Sequence, residues 1–177
     1  MKDNAKTVWT IDPNHSLVEF KVRHIAVSNI TGRFNVFSGN IETDNKDFNN
    51  AIVHFELDTN SLDTNNAVRD GHLKSDAFFD IDKFPKIAFN GMLQNIGDNF
   101  QLVGDLTMLE TTKPIQLNAE LTGVGLGKNG DSRAGFEING KLNRKDYGLN
   151  FNLLTDLGSL VVGEEIKLHF DIQLIEE

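Results

Sequence analysis

The chain has 177 residues, the length of one globular domain, and no cysteine. That excludes disulfide frameworks, thiolate metal sites and cysteine nucleophiles. With 26 acidic against 17 basic side chains and a formal charge of −9, it lacks the basic face that nucleic acid requires, so no nucleic-acid partner is expected. Thirteen phenylalanines against one tryptophan and one tyrosine predict a large apolar interior, filled or open. No apolar run is long enough for a transmembrane helix. Met1 to Lys6 leads into no apolar stretch, so the expectation is a cytoplasmic protein, or a periplasmic one if a leader has been removed. No linker, low-complexity tract or repeat divides residues 1–177, and a single domain is expected.

In chain order, Ser16 to His24 alternates, with Val18, Phe20, Val22 and then His24 on one face and Glu19, Lys21 and Arg23 on the other. Phe34-Asn35-Val36 leads into Phe37-Ser38-Gly39-Asn40-Ile41, and Val53, Phe55 and Leu57 share a face. Asn65 to Phe79 breaks the period, and Val68, His72 and Leu73 at helical spacing predict one or two short helices near residues 65–79, with Thr64 as N-cap. Alternation resumes at Ile87 and Phe89, at Leu102 to Met108, at Ile115 to Leu121, at Ala134 to Leu142 and at Ile166 to Leu174. Thr43-Asp44-Asn45, Asn95 to Asn99, Lys113-Pro114 and Gly127 to Asp131 read as turns, which leaves no proline inside a strand. About eight short strands so linked predict an antiparallel sandwich or barrel.

Nothing in the spacing selects a catalytic or metal centre. The five histidines form no metal-ligand motif, and surface or hydrogen-bonded roles are expected for them. No nucleophile-elbow serine occurs, and Gly123-Val124-Gly125-Leu126-Gly127 opens no helix and reads as a flexible strand end. No cofactor, metal or catalytic residue is expected, and the chain is not expected to be an enzyme. Gly39, Gly91, Gly104, Ala119 and Gly140 interrupt the large residues of the inward face. Such small residues either let large neighbours interdigitate in a filled core or leave space for an apolar ligand.

Four groups of residues resemble one family. The first is Ile11-Asp12-Pro13-Asn14-His15-Ser16 with Val18, Phe20, Val22, His24, Gly32 and Phe34 after it. The second runs from Arg69-Asp70-Gly71-His72 to Phe78-Phe79-Asp80, followed by Phe84-Pro85 and Ile87. The third is Gly104, Leu106-Thr107 and Thr112-Lys113-Pro114, and the last Arg133-Ala134-Gly135-Phe136 with Leu142-Asn143-Arg144-Lys145-Asp146-Tyr147-Gly148-Leu149. In this order, over nearly the whole chain, they resemble the YceI-like family.

The resemblance implies an all-β fold, an antiparallel lipocalin-like barrel of about eight strands. It also implies binding, transport or storage of a polyisoprenoid, an isoprenoid quinone precursor or a fatty-acid-like amphiphile in a long apolar tunnel. Wall candidates are then Val18, Phe20, Val22, His24, Phe34, Val36, Phe55 and Phe89, with Leu106, Met108, Leu117, Phe136, Ile138, Phe170 and Ile172. An anionic head would need cations at the mouth, for which Arg33, Arg69, Lys74, Arg133 and Arg144 are candidates, with His72 beside them. The expected partner is a lipid, with a homodimer open. Two alternatives remain: an enzyme acting on an isoprenoid or quinone around His24 or His72, and a filled barrel that binds another protein.

Overall fold

Alternating sequence becomes strand almost wherever it occurs. The computed structural model describes residues 5–44, 47–151 and 162–177. Its strands are β1 (Thr7–Ile11), β2 (Leu17–His24), β3 (Ser28–Phe34), β4 (Phe37–Thr43), β5 (Ala51–Asp58), β6 (Leu62–Asp63), β7 (Lys86–Ile96), β8 (Asn99–Met108), β9 (Thr111–Leu126), β10 (Ser132–Asn143) and β11 (Val162–Glu176). One α-helix, α1 (Ala67–Lys74), lies between β6 and β7.

All pairings are antiparallel and the sheet closes on itself. The barrel has eight staves. Five are the unbroken strands β7 to β11, and three are the interrupted pairs β1/β2, β3/β4 and β5/β6. β11 closes the ring, with Ile11 opposite Leu174 and Val18 opposite Phe170. Each stave neighbours the next in sequence, an up-and-down barrel in which β6 pairs with β3 on one side. The β2–β3 and β8–β9 hairpins, α1 and a short turn at Arg144–Tyr147 lie at one end. The β4–β5 connection and the β7–β8 and β9–β10 hairpins lie at the other.

That second end is filled with aromatic rings. Trp9 packs on Phe48 at 5.1 Å, Phe48 meets Phe136 edge-on at 5.2 Å, and Phe100 meets Phe136 at 5.8 Å. Phe48 and Trp9 are 0% and 1% exposed. Edge-to-face geometry lets rings fill the lumen without leaving a void.

Three sequence expectations need correction. The helix is capped by Asn66, whose side chain accepts from Arg69 N at 3.0 Å. Thr64 instead joins the helix side chains, accepting from Arg69 Nε at 2.7 Å and donating to Asp70. Pro114 lies inside β9, opposite Asp105 of β8, and the turn falls earlier, between Met108 and Thr111. The β9–β10 pairing includes Asn118 but no residue before it, so the missing N–H of Pro114 costs no ladder bond there. Val36 faces outward and is 58% exposed. The break between β3 and β4 shifts the alternation by one residue, so Phe37, 8% exposed, takes the inward place.

The break between β1 and β2 is tied by Asp12. Its carboxylate accepts from Asn14 N at 3.0 Å, His15 Nδ1 at 2.7 Å and Arg133 Nη1 at 2.9 Å. Ser16 Oγ donates to Asp12 O at 2.7 Å and accepts from Gln173 N at 3.0 Å, which joins the break to β11. The His15 and Arg133 hydrogen bonds hold the Asp12 carboxyl below its ordinary pKa, against the opposing effect of burial. The stability this provides is complete above the unfolded carboxylate value of ~3.9 and is lost as pH falls through the lower folded value. Asp12→Asn is expected to lower unfolding free energy by about 2 kcal/mol at pH 7, with the gap to wild type closing in acid; denaturant titrations from pH 7 to pH 2 measure it.

Candidate ligand cavity

Above the aromatic plug the lumen is open. A cavity of about 390 Å³ runs toward the α1 end, within the roughly 300–1,000 Å³ of small-molecule sites. Every second residue of β11 from Ile166 to Leu174 borders it, so it follows that strand for roughly 26 Å at ~3.3 Å per residue. The wall is almost wholly apolar. His72 of α1 borders the cavity and is itself exposed.

The structure brings most of the sequence candidates together on this wall. β2 contributes Val18, Phe20, Val22 and His24, and β3 contributes Phe34. Phe55, Phe89, Leu106, Met108, Leu117, Ile138, Phe170 and Ile172 follow around the ring. Two candidates do not border it. Val36 is on the outer surface for the reason given above. Phe136 points inward but lies in the plug, between Phe48 and Phe100. Ile30, Ile87, Leu102, Ile115, Leu142, Ile166 and Leu168 also line the cavity, on the same alternating stripes as the candidates. Leu73, Phe78, Phe79 and Phe151 come from outside the barrel staves. Phe78-Phe79 is visible in the sequence as an apolar pair after the helix; Phe151 follows no period.

The cations separate by place. Arg144 borders the cavity and is 3% exposed. Its guanidinium donates to Leu149 O at 2.5 Å, Gly163 O at 2.8 Å and Val162 O at 3.1 Å. All three partners are carbonyls, and no carboxylate forms an ion pair with it among the described residues. Burial lowers its pKa from the ordinary arginine value, with Glu164 acting in the opposite sense. Arg69 also borders the cavity and donates to Thr64 O at 2.6 Å. The His72 ring sits edge-on to Phe78 at 5.2 Å and to Phe151 at 5.5 Å.

Three cation candidates are misplaced by the sequence reading. Arg33 is exposed on the outer face of β3, because its neighbours Gly32 and Phe34 point inward. Lys74 ends α1 outside the cavity lining. Arg133 lies at the start of β10, toward the plugged end, paired to Asp131 at 2.6 Å and Asp12 at 2.9 Å.

The profile of the YceI-like domain matches residues 9–174. The chain belongs to the YceI-like family. A UPF0312 protein of Yersinia pestis is 37% identical over 163 residues, covering 92% of this chain and 82% of its own. The YceI protein of Campylobacter jejuni superposes with a TM-score of 0.74 at 28% identity, covering 88% of this chain and 90% of that one. Two more distant structures share the fold. BcnA of Burkholderia cenocepacia has a TM-score of 0.79 at 15% identity, covering 92% and 98% of the two chains. A polyisoprenoid binding domain from Saccharophagus degradans has 0.69 at 18%, covering 96% and 98%.

In this YceI-like barrel the inward glycines are not themselves the empty space. A Cβ on Gly32 would lie 2.3 Å from Phe20 Cζ, one on Gly104 2.7 Å from Phe89 Cζ, and one on Gly140 2.2 Å from Leu117 Cδ2. The large side chains lie flat over the glycines, against the wall, and so stay out of the lumen. Gly32→Ala therefore meets only a ring tip and is expected to swing Phe20 inward, shrinking the cavity at a cost of about 1 kcal/mol. Gly104→Ala also meets Asn90 O at 2.4 Å and the Gly91 Cα at 2.5 Å; backbone cannot swing aside, and a loss of about 3 kcal/mol is expected. Thermal unfolding of the two variants checks the order.

Proposed function

We propose that the cavity holds one long-chain apolar molecule, a polyisoprenoid or a similar amphiphile, with its tail toward the aromatic plug and its polar head beside α1. The observation that carries this reading is the apolar cavity between the Trp9, Phe48, Phe100 and Phe136 cluster at one end and the exposed His72 of α1 at the other. Each methylene transferred from water to such a wall contributes ~0.8 kcal/mol, so a long chain accumulates affinity without specific contacts. Membership of the YceI-like family supports the reading, and so does the shared fold of the polyisoprenoid binding domain from Saccharophagus degradans.

The protein acts, on this reading, as a carrier or store rather than as a catalyst. Among the described residues neither His24 nor His72 hydrogen-bonds a carboxylate that would orient it for proton transfer. Arg69 and Arg144 border the cavity, which supports them as the cations that meet an acidic head. A phosphate would take the guanidinium N–H groups that the carbonyls and Thr64 leave unused.

Native mass spectrometry of the purified protein, followed by solvent extraction, tests the reading. The expected result is one long-chain lipid per chain, and the same spectrum reports whether a homodimer forms. Phe20→Arg is expected to abolish loading while the fold persists, because Phe20 borders the cavity and is only half buried. Phe136→Arg is expected instead to unfold the protein, because a charge in the plug has no partner. A folded Phe20→Arg protein that retains its lipid would overturn the cavity assignment, as would failure of the wild type to take up added prenyl alcohols and fatty acids. Arg69→Gln is expected to weaken a prenyl phosphate at least ~10-fold more than the matching prenyl alcohol; paired titrations with the two ligands measure the difference.

A further inference from the structure

The rim of the cavity carries exposed apolar side chains on two separate elements. The β2–β3 hairpin turns through Ile25, Ala26 and Val27, with Val27 N donating to His24 O at 3.0 Å. Ile25 and Ala26 have φ of 45° and 57°. Two successive left-handed residues make the type I′ turn that Asn-Gly forms without strain. Here a β-branched residue occupies the first position, a backbone outlier of the kind that persists where a site uses it. Val27 is 75% exposed and Ile25 40%. On α1, Val68 is 85% exposed.

The hairpin tip itself carries no charge. From His24 to Ile30 there is no aspartate, glutamate, lysine or arginine. Immediately behind the tip, Arg23 is exposed and its Nη2 reaches Ala26 O at 3.4 Å. It forms no ion pair with a carboxylate among the described residues. Arg69 follows Val68, and its guanidinium is bound to Thr64 rather than to an acid. Both elements also border the cavity, through His24 and Ile30 on the hairpin and through Arg69 and His72 on the helix.

We propose that this rim docks on a phospholipid bilayer. Ile25, Val27 and Val68 enter the boundary between headgroups and acyl chains, Arg23 stays at the level of the phosphates, and the cavity mouth faces the lipid phase. An apolar tip with a cation behind it matches the layered polarity of that boundary. The net charge of −9 repels anionic lipid, so apolar insertion is the driving force and a zwitterionic phosphatidylcholine surface is the expected one. The carrier reading supplies the purpose of the docking, and the test below separates the two.

The experiment is flotation of the full chain with phosphatidylcholine vesicles. Wild type is expected to float with the vesicles, and Val27→Asp combined with Val68→Asp to lower the bound fraction at least ~10-fold. The melting temperature should not change, because both side chains are in water. Val27→Trp gives a second readout: its emission should shift to the blue on adding vesicles and be quenched by brominated lipid, while the plug-buried Trp9 is unaffected. A wild type that stays with the soluble fraction overturns the proposal, as does a double variant that floats like wild type or a Val27→Trp emission that does not move. Lipid content measured on the same samples keeps the readings apart. A protein that docks but never takes up a chain sinks the carrier reading alone; one that carries a chain but does not float sinks the docking alone.

Discussion

Closing eight strands into a ring leaves a lumen only about as wide as the side chains that point into it. Whether such a barrel is solid or hollow is then decided by the direction in which its largest side chains lie. Both solutions occur here, one at each end. Toward the β4–β5 connection, Trp9, Phe48, Phe100 and Phe136 fill the lumen, with Phe136 edge-on to both Phe48 and Phe100 and Trp9 tilted on Phe48. Toward α1, Phe20 and Phe89 lie along the wall over Gly32, Gly91 and Gly104. The blind end, the cavity and the rim all follow from that change in ring direction. A glycine in this barrel acts as a bed for a neighbouring ring, and the pairing Gly91 opposite Gly104 makes one bed from two strands.

An apolar lumen forces the polar groups to its margins, and two arginines meet the same desolvation problem in different ways. Arg133 keeps two carboxylates, Asp12 and Asp131, within hydrogen-bonding distance. With them it fastens β10 to the broken first stave, and its charge is cancelled locally. Arg144 is more deeply buried and bonds only to carbonyl oxygens. Carbonyl dipoles satisfy its geometry without neutralising its charge. Glu164 acts on that charge from nearby without forming an ion pair with it among the described residues, and the arginine stays at the cavity edge.

Alternation carried most of the architecture into view from the sequence. It placed nearly every stave, because a period of two with one apolar face is what a closed sheet with an apolar interior demands. It failed where the chain breaks step. Val36 and Phe37 exchange faces at the β3–β4 break, which is a backbone feature without a sequence marker. Phe136 obeys the period and still misses the cavity, because alternation gives the face of a strand and not the height along the barrel. The same blindness to height put Arg133 at the wrong end. Arg33 lies on the outer face for a simpler reason: its neighbours Gly32 and Phe34 point inward. Thr64 and Asn66 are both residue types that cap helices, and only the bond from Arg69 N to the Asn66 side chain identifies the cap.

The last stave has a consequence for how the protein is made. β11 pairs with β10, but also with β1 and β2, so residues such as Ile11 and Leu174 must meet across almost the full chain. Ribosomes add ~5–20 residues per second, so this chain takes roughly 10–35 s to synthesise. Until β11 is available, β2 and its neighbours can form hairpins but cannot close, and the future lumen faces solvent. Closure is a single late event with a long loop entropy to overcome. The apolar inner face is covered only once β11 has paired with β1 and β2, and until then aggregation competes with folding.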